Sequence, residues 1–176
     1  NGFSQVDTCR KEENPDTGKT LEEVTIKAFE ENRLLKSSGA TAKVIEYNNG
    51  IFLNKTSFVN ALNTVAGVRM EERSPGSYRL NIRGNSLRSP FGVRNVKVYW
   101  NDIPITDPSG NTYFNQFAYN NFSYLEIVKG PAGRMYGAGT GGLVLMHNLD
   151  HWQPGVSAEY ITGSYNLQNA FVSARF

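Results

Sequence analysis

Short apolar runs separated by turn-forming residues dominate the hydrophobic pattern of this chain. One run surrounds Val44 to Tyr47, and others lie in "GVRMEE", "YRLNIRG", "NVKVYW" and "IPITD". Between them stand "RSPGS", "NSLRSPFG" and the pair Asn101-Asp102, which are rich in residues that favour turns. A long polar and aromatic stretch, "DPSGNTYFNQFAYNNF", follows and is predicted to be a loop. The pattern therefore predicts many short strands joined by tight turns.

One segment has a helical period instead. Its apolar residues recur at the spacing of one helix face, at Phe58, Ala61, Leu62 and Val65. Thr56 or Ser57 precedes them as a candidate N-cap, and Gly67 follows where a helix C-terminus favours a left-handed residue. We predict one amphipathic helix, whose apolar face serves core packing.

The stretch "GPAGRMYGAGTGGLVLM", from Gly130 to Met146, contains the pattern G-x-G-x-x-G. A dinucleotide-binding fingerprint of this kind needs a strand before it and a helix after it. An apolar run, Tyr124 to Val128, does precede the glycines, but "LVLM" and "HNLDHWQPG" after them have no helical period. We therefore predict a strand, glycine-rich turns and a second strand, and we disfavour a nucleotide-binding enzyme.

Composition narrows the classes of function further. The 18 Lys and Arg residues nearly balance the 16 Asp and Glu residues, and a formal net charge of +2 does not indicate nucleic-acid binding. The lone Cys9 cannot form an internal disulfide. No apolar run is long enough for a membrane-spanning helix. The 17 glycines and the 12% aromatic residues favour a turn-rich, strand-rich protein.

Both ends of the chain differ from its middle. Residues 1–20 are charged and lack periodicity, so we expect a flexible leader. The following "LEEVTIKAF" alternates apolar and polar residues like a short strand. Near the other end, apolar residues alternate with mostly polar ones at Val156, Ala158, Tyr160, Ala170, Val172, Ala174 and Phe176. We predict one or two strands there, with one apolar face.

Four motifs, in order, resemble the plug domain of TonB-dependent outer-membrane receptors. "SFVNALNTVAGV" resembles the helix and turn that open the plug, and "NIRG" resembles its Ile-Arg-Gly strand. "VYWNDIPITDPSG" resembles its Val-Asp-Gly hairpin, and "YLEIVKGPAGRMYGAGTGGLVLM" resembles its glycine-rich ending. Ala66 replaces the usual proline, and Asn101-Asp102 replaces Asp-Gly. The resemblance extends from Thr20 to about Leu149.

This resemblance implies an α+β fold, in which a small mixed-sheet plug domain with short helices and long loops precedes the first strand or strands of a membrane β-barrel. Residues 1–20 would be the leader, residues 21–29 a TonB-box-like segment, residues 30–149 the plug, and residues 150–176 the hinge and the start of the barrel. We accordingly expect the chain to be truncated. A free-standing plug-like protein is the alternative.

The resemblance also implies a function in transport. The intact receptor would take up a small-molecule cargo across the outer membrane of a Gram-negative bacterium, powered by the TonB C-terminal domain with ExbB and ExbD. The plug would lie inside its own β-barrel, with the TonB box facing the periplasm. We favour a ferric chelate, or siderophore, as cargo; a glycan or vitamin importer of the same family is the alternative, and a signal-transducing receptor is less favoured. We expect no enzymatic activity, resident cofactor, metal site or nucleic-acid partner.

Candidate functional residues follow from the matching positions. The TonB-box residues would be Leu21, Glu22, Glu23, Val24, Thr25 and Ile26. The outward loops would be Glu72 to Ser77, Ser86 to Val93 and Asp107 to Phe117, and the candidate cargo contacts in them are Arg73, Arg88, Phe91, Tyr113 and Phe114. Guanidinium groups bind carboxylate or catecholate oxygens, and aromatic rings add rigid contact area.

Four further residues carry ionisable side chains in unusual places. Arg83 and Glu126 are charged residues in otherwise apolar strands, and the resemblance suggests a charge network between plug and barrel; an ion pair within the plug is the alternative. His147 and His151 have an i, i+4 spacing that suits a metal site on a helix. Trp152, Pro154 and Gly155 argue against a helix, so we predict surface histidines in the hinge.

Overall fold

The computed structural model describes residues 25–26, 33–34, 41–47, 56–85, 92–131, 136–137, 139–148 and 154–176. Within these ranges the chain forms many short strands and few helices, as the hydrophobic pattern predicts. The strands are β1 (Thr25–Ile26), β2 (Arg33–Leu34), β3 (Thr41–Glu46), β4 (Val68–Ser74), β5 (Ser77–Ile82), β6 (Val93–Arg94), β7 (Val96–Trp100), β8 (Ile103–Pro104), β9 (Asn111–Thr112), β10 (Tyr124–Lys129), β11 (Gly142–His147), β12 (Gly155–Gly163) and β13 (Leu167–Arg175). The helix α1 spans Phe58–Asn63, and short 3-10 turns span Phe114–Gln116, Tyr119–Asn121 and Ser164–Asn166.

The main sheet is mixed and has the strand order β3-β10-β11-β7-β8. Its central strand pairs, β10 with β3 and β10 with β11, are antiparallel, whereas β11 runs parallel to β7. A tight turn at Asn101 and Asp102 joins β7 to β8, and both residues have positive φ, 44° and 71°. Asn and Asp tolerate this conformation better than most residues, which explains why this pair forms the hairpin turn.

Helix α1 forms where its apolar spacing predicts it. Ser57, not Thr56, caps the helix, because its side chain accepts a hydrogen bond of 3.2 Å from the backbone N–H of Val59. After the helix, Gly67 adopts φ +76°, the left-handed conformation expected of a glycine in this position. The apolar face of the helix is buried and contributes Phe58, Ala61 and Leu62 to the core.

The main sheet is apolar on both faces because alternate residues of its central strands point to opposite sides. The face beneath α1 carries Leu125 and Ile127 of β10 and Val144 and Met146 of β11. The opposite face carries a second buried cluster, made of Ile26, Val128, Leu143 and Leu145. A sheet covered on both sides explains why β11, and β10 apart from Glu126, are mostly apolar in the sequence.

Aromatic residues of the segment after β9 complete the core. We predicted a polar and aromatic loop there, and the structure adds that Phe114, Tyr119 and Phe122 are buried. Their ring centroids lie 5.5, 5.3 and 5.9 Å from that of Phe58. Edge-on and tilted contacts of this kind are favourable for aromatic pairs, and they anchor the segment to α1.

The C-terminal hairpin has one apolar face, as predicted. Strands β12 and β13 pair antiparallel over their whole length, so that Val156 lies opposite Ala174 and Ala158 opposite Val172. The large apolar side chains of this face are exposed, whereas Glu159, on the other face, is half-buried. In the described parts of the chain, no helix is both long and apolar enough to cross a membrane.

Candidate functional site

The middle of the TonB-box-like segment lies against the main sheet. Thr25 and Ile26 form strand β1, which pairs antiparallel with β2. The side chain of Ile26 is 1% exposed and belongs to the cluster of Val128, Leu143 and Leu145. The strand character predicted for this segment is therefore confirmed at these two positions, whereas Leu21, Glu22, Glu23 and Val24 lie outside the described residues.

Of the five candidate cargo contacts, the structure describes three, and these differ in exposure. Arg73 is exposed near the end of β4, and Tyr113 is 36% exposed just after β9. Phe114 is only 2% exposed and packs on Phe58, so its side chain supports the loop from below. Arg88 and Phe91 lie outside the described residues.

The structure brings two of the predicted outward loops together. A Cβ atom added to Gly76, in the turn between β4 and β5, would lie 3.3 Å from Cβ of Asn115. The described end of the outward loop Ser86 to Val93 is equally close to Tyr113. A Cβ atom at Gly92 would lie 3.3 Å from Cε1 of Tyr113. The turn that follows Arg73 therefore adjoins the segment that carries Tyr113, and the two form one continuous surface.

Arg83 and Glu126 lie in different surroundings. Arg83 follows β5 with an exposed side chain and φ 53°, and its backbone N–H donates a 2.8 Å hydrogen bond to the carbonyl of Gly67. Glu126 is 0% exposed in the middle of β10, and its Oε1 lies 3.9 Å from Nε2 of His147. Glu126 therefore lies beside a histidine, which sequence reasoning did not connect to it.

The prediction of a surface histidine at position 147 is wrong. His147 is 7% exposed and stacks on Tyr124, with ring centroids 4.5 Å apart and the planes 14° from parallel. The reason is that β11 continues one residue beyond its apolar run, which places His147 opposite Tyr124 in the sheet. His151 lies outside the described residues, and within those residues no group of three or more His, Cys, Asp or Glu side chains could hold a metal ion.

The third glycine of the G-x-G-x-x-G pattern begins a strand and not a helix. Gly142 is the first residue of β11 and pairs with Lys129 of β10 and Val96 of β7. A Cβ atom at Gly142 would lie 2.7 Å from the carbonyl oxygen of Val128, closer than real Cβ contacts allow. This glycine therefore permits close approach of neighbouring strands, and the two strands predicted on either side of the glycine-rich stretch are confirmed.

Comparison with known proteins agrees with this architecture. The family model of the TonB-dependent receptor plug domain matches residues 35–144, more than half of the chain. The structure is also similar to the pyoverdine outer-membrane receptor FpvA of Pseudomonas aeruginosa, with a TM-score of 0.67 and 15% identity over 84% of this chain and 21% of that one. The ferric yersiniabactin uptake receptor FyuA of Yersinia pestis gives a TM-score of 0.56 and 20% identity, over 74% of this chain and 20% of that one.

A structure with a different cargo is similar as well. The copper transporter OprC gives a TM-score of 0.58 at 14% identity, over 77% of this chain and 21% of that one. At these identities the likeness concerns the fold and does not identify the transported solute. The chain spans about a fifth of the length of these solved receptors.

The mixed sheet, the helix that covers it and the matched residues define a class of transport proteins, the outer-membrane receptors of Gram-negative bacteria. Within that class, this chain belongs to the TonB-dependent receptor plug domain family. Such plugs occur in transport proteins and not in enzymes.

Proposed function

We propose that the protein containing this chain imports a ferric chelate across the outer membrane, and that this chain is the gate of the transport path. The observation that carries the proposal is the continuous surface on which Arg73 and Tyr113 are exposed above the buried ring of Phe114. Two of the similar structures, FpvA and FyuA, are receptors for pyoverdine and ferric yersiniabactin, and this supports the same class of cargo.

The chemistry of that surface suits an oxygen-rich chelate. A guanidinium group can donate two parallel hydrogen bonds to a carboxylate or catecholate, and the Tyr113 ring offers flat contact area. Because Phe114 packs edge-on against Phe58, the loop beneath the cargo is anchored to the core. We propose that Arg73 and Tyr113 contact the cargo directly, that Phe114 fixes the loop, and that Arg88 and Phe91 are further cargo contacts.

We further propose that the C-terminal hairpin begins the barrel in which this plug sits. Its exposed apolar residues would face lipid, and its half-buried residues, including Glu159, would face the plug. The hydrogen bond from Tyr47 Oη to Glu159 Oε2, 3.2 Å long, already joins the two parts on that side. TonB, with ExbB and ExbD, would act from the periplasm on the segment that ends in β1.

Binding and uptake of labelled cargo by cells carrying the full-length receptor test the proposal. Arg73→Gln should weaken binding of the cognate ferric chelate by about 1.5–3 kcal/mol, the contribution of a hydrogen bond to a charged group. Arg69→Gln is the matched control, because Arg69 is also exposed on β4 but pairs with Glu71 at 2.7 Å.

Expression of the receptor gives an independent readout of cargo class. A ferric-chelate receptor should be induced by iron starvation. Induction by growth on a polysaccharide, or by vitamin limitation, without any response to iron would instead favour the glycan or vitamin importer. That result would overturn the proposal.

A further inference from the structure

A solvent-accessible cavity of about 230 Å³ lies between the start of β7 and the turn that precedes β9. Arg94, Asn95 and Lys97 line one side of it, and Thr106 and Ser109 line the other. Gly139, from the segment before β11, closes it. The pairing of β7 with β11 brings these parts together, although they are distant in sequence.

The cavity is positively charged. Arg94 and Lys97 line it, and none of its lining residues is acidic. In the part of the chain that the structure describes, no carboxylate forms an ion pair with either cation. The recorded hydrogen bond of Arg94 runs from Nη2 to the carbonyl of Ser109, and at 3.5 Å it is long. Two cations that line one small cavity, with no acidic residue in its lining, attract an anion.

The hydroxyl groups in the wall are already engaged. Thr106 Oγ1 accepts a 3.0 Å hydrogen bond from the N–H of Val98 and shares a hydrogen with Thr112 Oγ1 at 2.9 Å. Ser109 Oγ donates to Asp107 Oδ1 and accepts from Asn111 Nδ2, both at 2.8 Å. These groups hold the wall in shape, so Arg94 and Lys97 remain as the donors for a ligand.

The cationic side of the cavity is also held in place. Asn95 has φ 70°, and its side chain donates to Asn85 Oδ1 at 2.8 Å and accepts from Thr140 Oγ1 at 2.5 Å. The stem of Lys97 crosses Gly139 so closely that a Cβ atom there would lie 2.8 Å from Cγ of Lys97. A fixed backbone and a stem confined over a glycine reduce the cost of ordering the site for a ligand.

We propose that this cavity binds an oxyanion between Arg94 and Lys97. Its volume suits one carboxylate-bearing or phosphate-type group and excludes a polymer from its interior. Arg94 would bind two oxygens through its planar fork, and Lys97 would neutralise the remaining charge. The anion could be free in solution, or it could be the carboxylate of an iron chelate; the experiment distinguishes these sources.

Calorimetric titration of the detergent-solubilised full-length receptor tests the site, with inorganic phosphate, citrate and ferric citrate as separate probes at low ionic strength. The double variant Arg94→Gln/Lys97→Met should bind at least about tenfold more weakly, the loss that corresponds to about 1.4 kcal/mol. Lys97→Arg should keep most of the binding, and Lys43→Met, which removes an exposed lysine of β3, should bind like the unmodified receptor.

A variant that keeps both charges separates the site from general electrostatics. Gly139→Ala should weaken binding because the added methyl group displaces the stem of Lys97. Binding of all three probes identifies a general oxyanion site, and binding of ferric citrate alone identifies a chelate subsite; both support the proposal. The absence of binding for all probes, or equal losses in Lys43→Met and in the double variant, would overturn it. These binding results do not depend on which cargo the receptor imports, so they test the cavity separately from the proposed function.

Discussion

Among single residues, Asp107 shows how one side chain fixes a turn. Its Oδ1 accepts hydrogen bonds from the backbone N–H of Asn111 at 2.7 Å and from the hydroxyl of Ser109 at 2.8 Å. Hydrogen bonds to the carboxylate, first that from Asn111, hold the pKa of Asp107 below its ordinary value. Because the folded pKa is the lower one, this stabilisation is present above the ordinary pKa of aspartate and is lost as pH falls through the folded pKa.

Removing this carboxylate should loosen the turn. We expect Asp107→Asn to accelerate amide hydrogen exchange in residues 107–111 severalfold at neutral pH, because an amide oxygen accepts these bonds more weakly. The difference from the unmodified protein should vanish in acid, where Asp107 is protonated as well. Asp102→Asn is the control, because φ 71° at this position suits asparagine. Equal exchange in the unmodified protein and Asp107→Asn at neutral pH would contradict this role.

At the level of elements, the start of β11 depends on a glycine that no other residue can replace without movement. A Cβ atom at Gly142 would lie 2.7 Å from the carbonyl oxygen of Val128 and 2.9 Å from Cδ1 of Ile82. Gly84 also has positive φ, but a Cβ atom there meets nothing within 4 Å. In urea unfolding, Gly84→Ala should cost about 1–2 kcal/mol of left-handed strain. Gly142→Ala should lower the free energy of unfolding clearly more than Gly84→Ala does. Similar losses in the two variants would show that β11 can shift to accommodate the added methyl group.

Patterns among neighbouring residues predicted the helix, the strands and the turns, whereas burial that depends on contacts between distant residues was not predicted. The N-cap near Ser57, the left-handed Gly67 and the Asn101-Asp102 turn were readable because each depends on a few neighbouring residues. The burial of Phe114 was not, because the 3-10 turns after β9 have no periodicity that marks an inward face. His147 was assigned to the surface for a similar reason, since one polar residue after an apolar run does not show whether its strand continues.

The candidate site residues also fall into two groups: those that local sequence motifs indicated, and those that only long-range contacts bring together. Ordered motifs indicated the outward loops and the TonB-box-like segment, because those motifs occur in continuous sequence. Arg94 and Lys97 were not chosen, although two basic residues within one turn-and-strand segment were a visible signal. Their cavity requires Gly139, which approaches only through the parallel pairing of β7 with β11. Such pairing leaves no mark in local sequence.

At the scale of the whole molecule, a hydrogen bond from Tyr47, the residue after β3, joins the main sheet to the C-terminal hairpin. Burial first, and then the charge of Glu159, raise the pKa of Tyr47 to about 12, so the hydroxyl of Tyr47 stays neutral at ordinary pH and donates a hydrogen bond to that carboxylate. A double-mutant cycle of Tyr47→Phe and Glu159→Gln, measured by urea unfolding, should give a coupling energy of about 0.5–1.5 kcal/mol. Tyr160→Phe, at an exposed position, should show no coupling to Glu159→Gln. Additive losses in the first pair would mean that the bond does not stabilise the contact.

Energy coupling can be tested on the segment that ends in β1. If TonB recognises this segment as an added strand, main-chain hydrogen bonds carry the recognition, and Val24→Pro or Thr25→Pro should abolish uptake without reducing surface binding of cargo. Thr25→Ser should be tolerated. If TonB does bind this segment, it would also have to detach Ile26, which is buried in one cluster with Val128. Normal uptake by both proline variants would leave β1 a purely structural strand.

The strand order of the main sheet also determines when the protein can fold during its synthesis. Strand β3 pairs with Tyr124–Lys129, and β7 pairs with a strand that ends at His147, so neither of these pairings can form until the late strands are made. Pairings between such distant segments form slowly. A chain that has not yet been made as far as residue 147 therefore cannot complete this sheet, and its early strands keep unpaired edges until β11 is present.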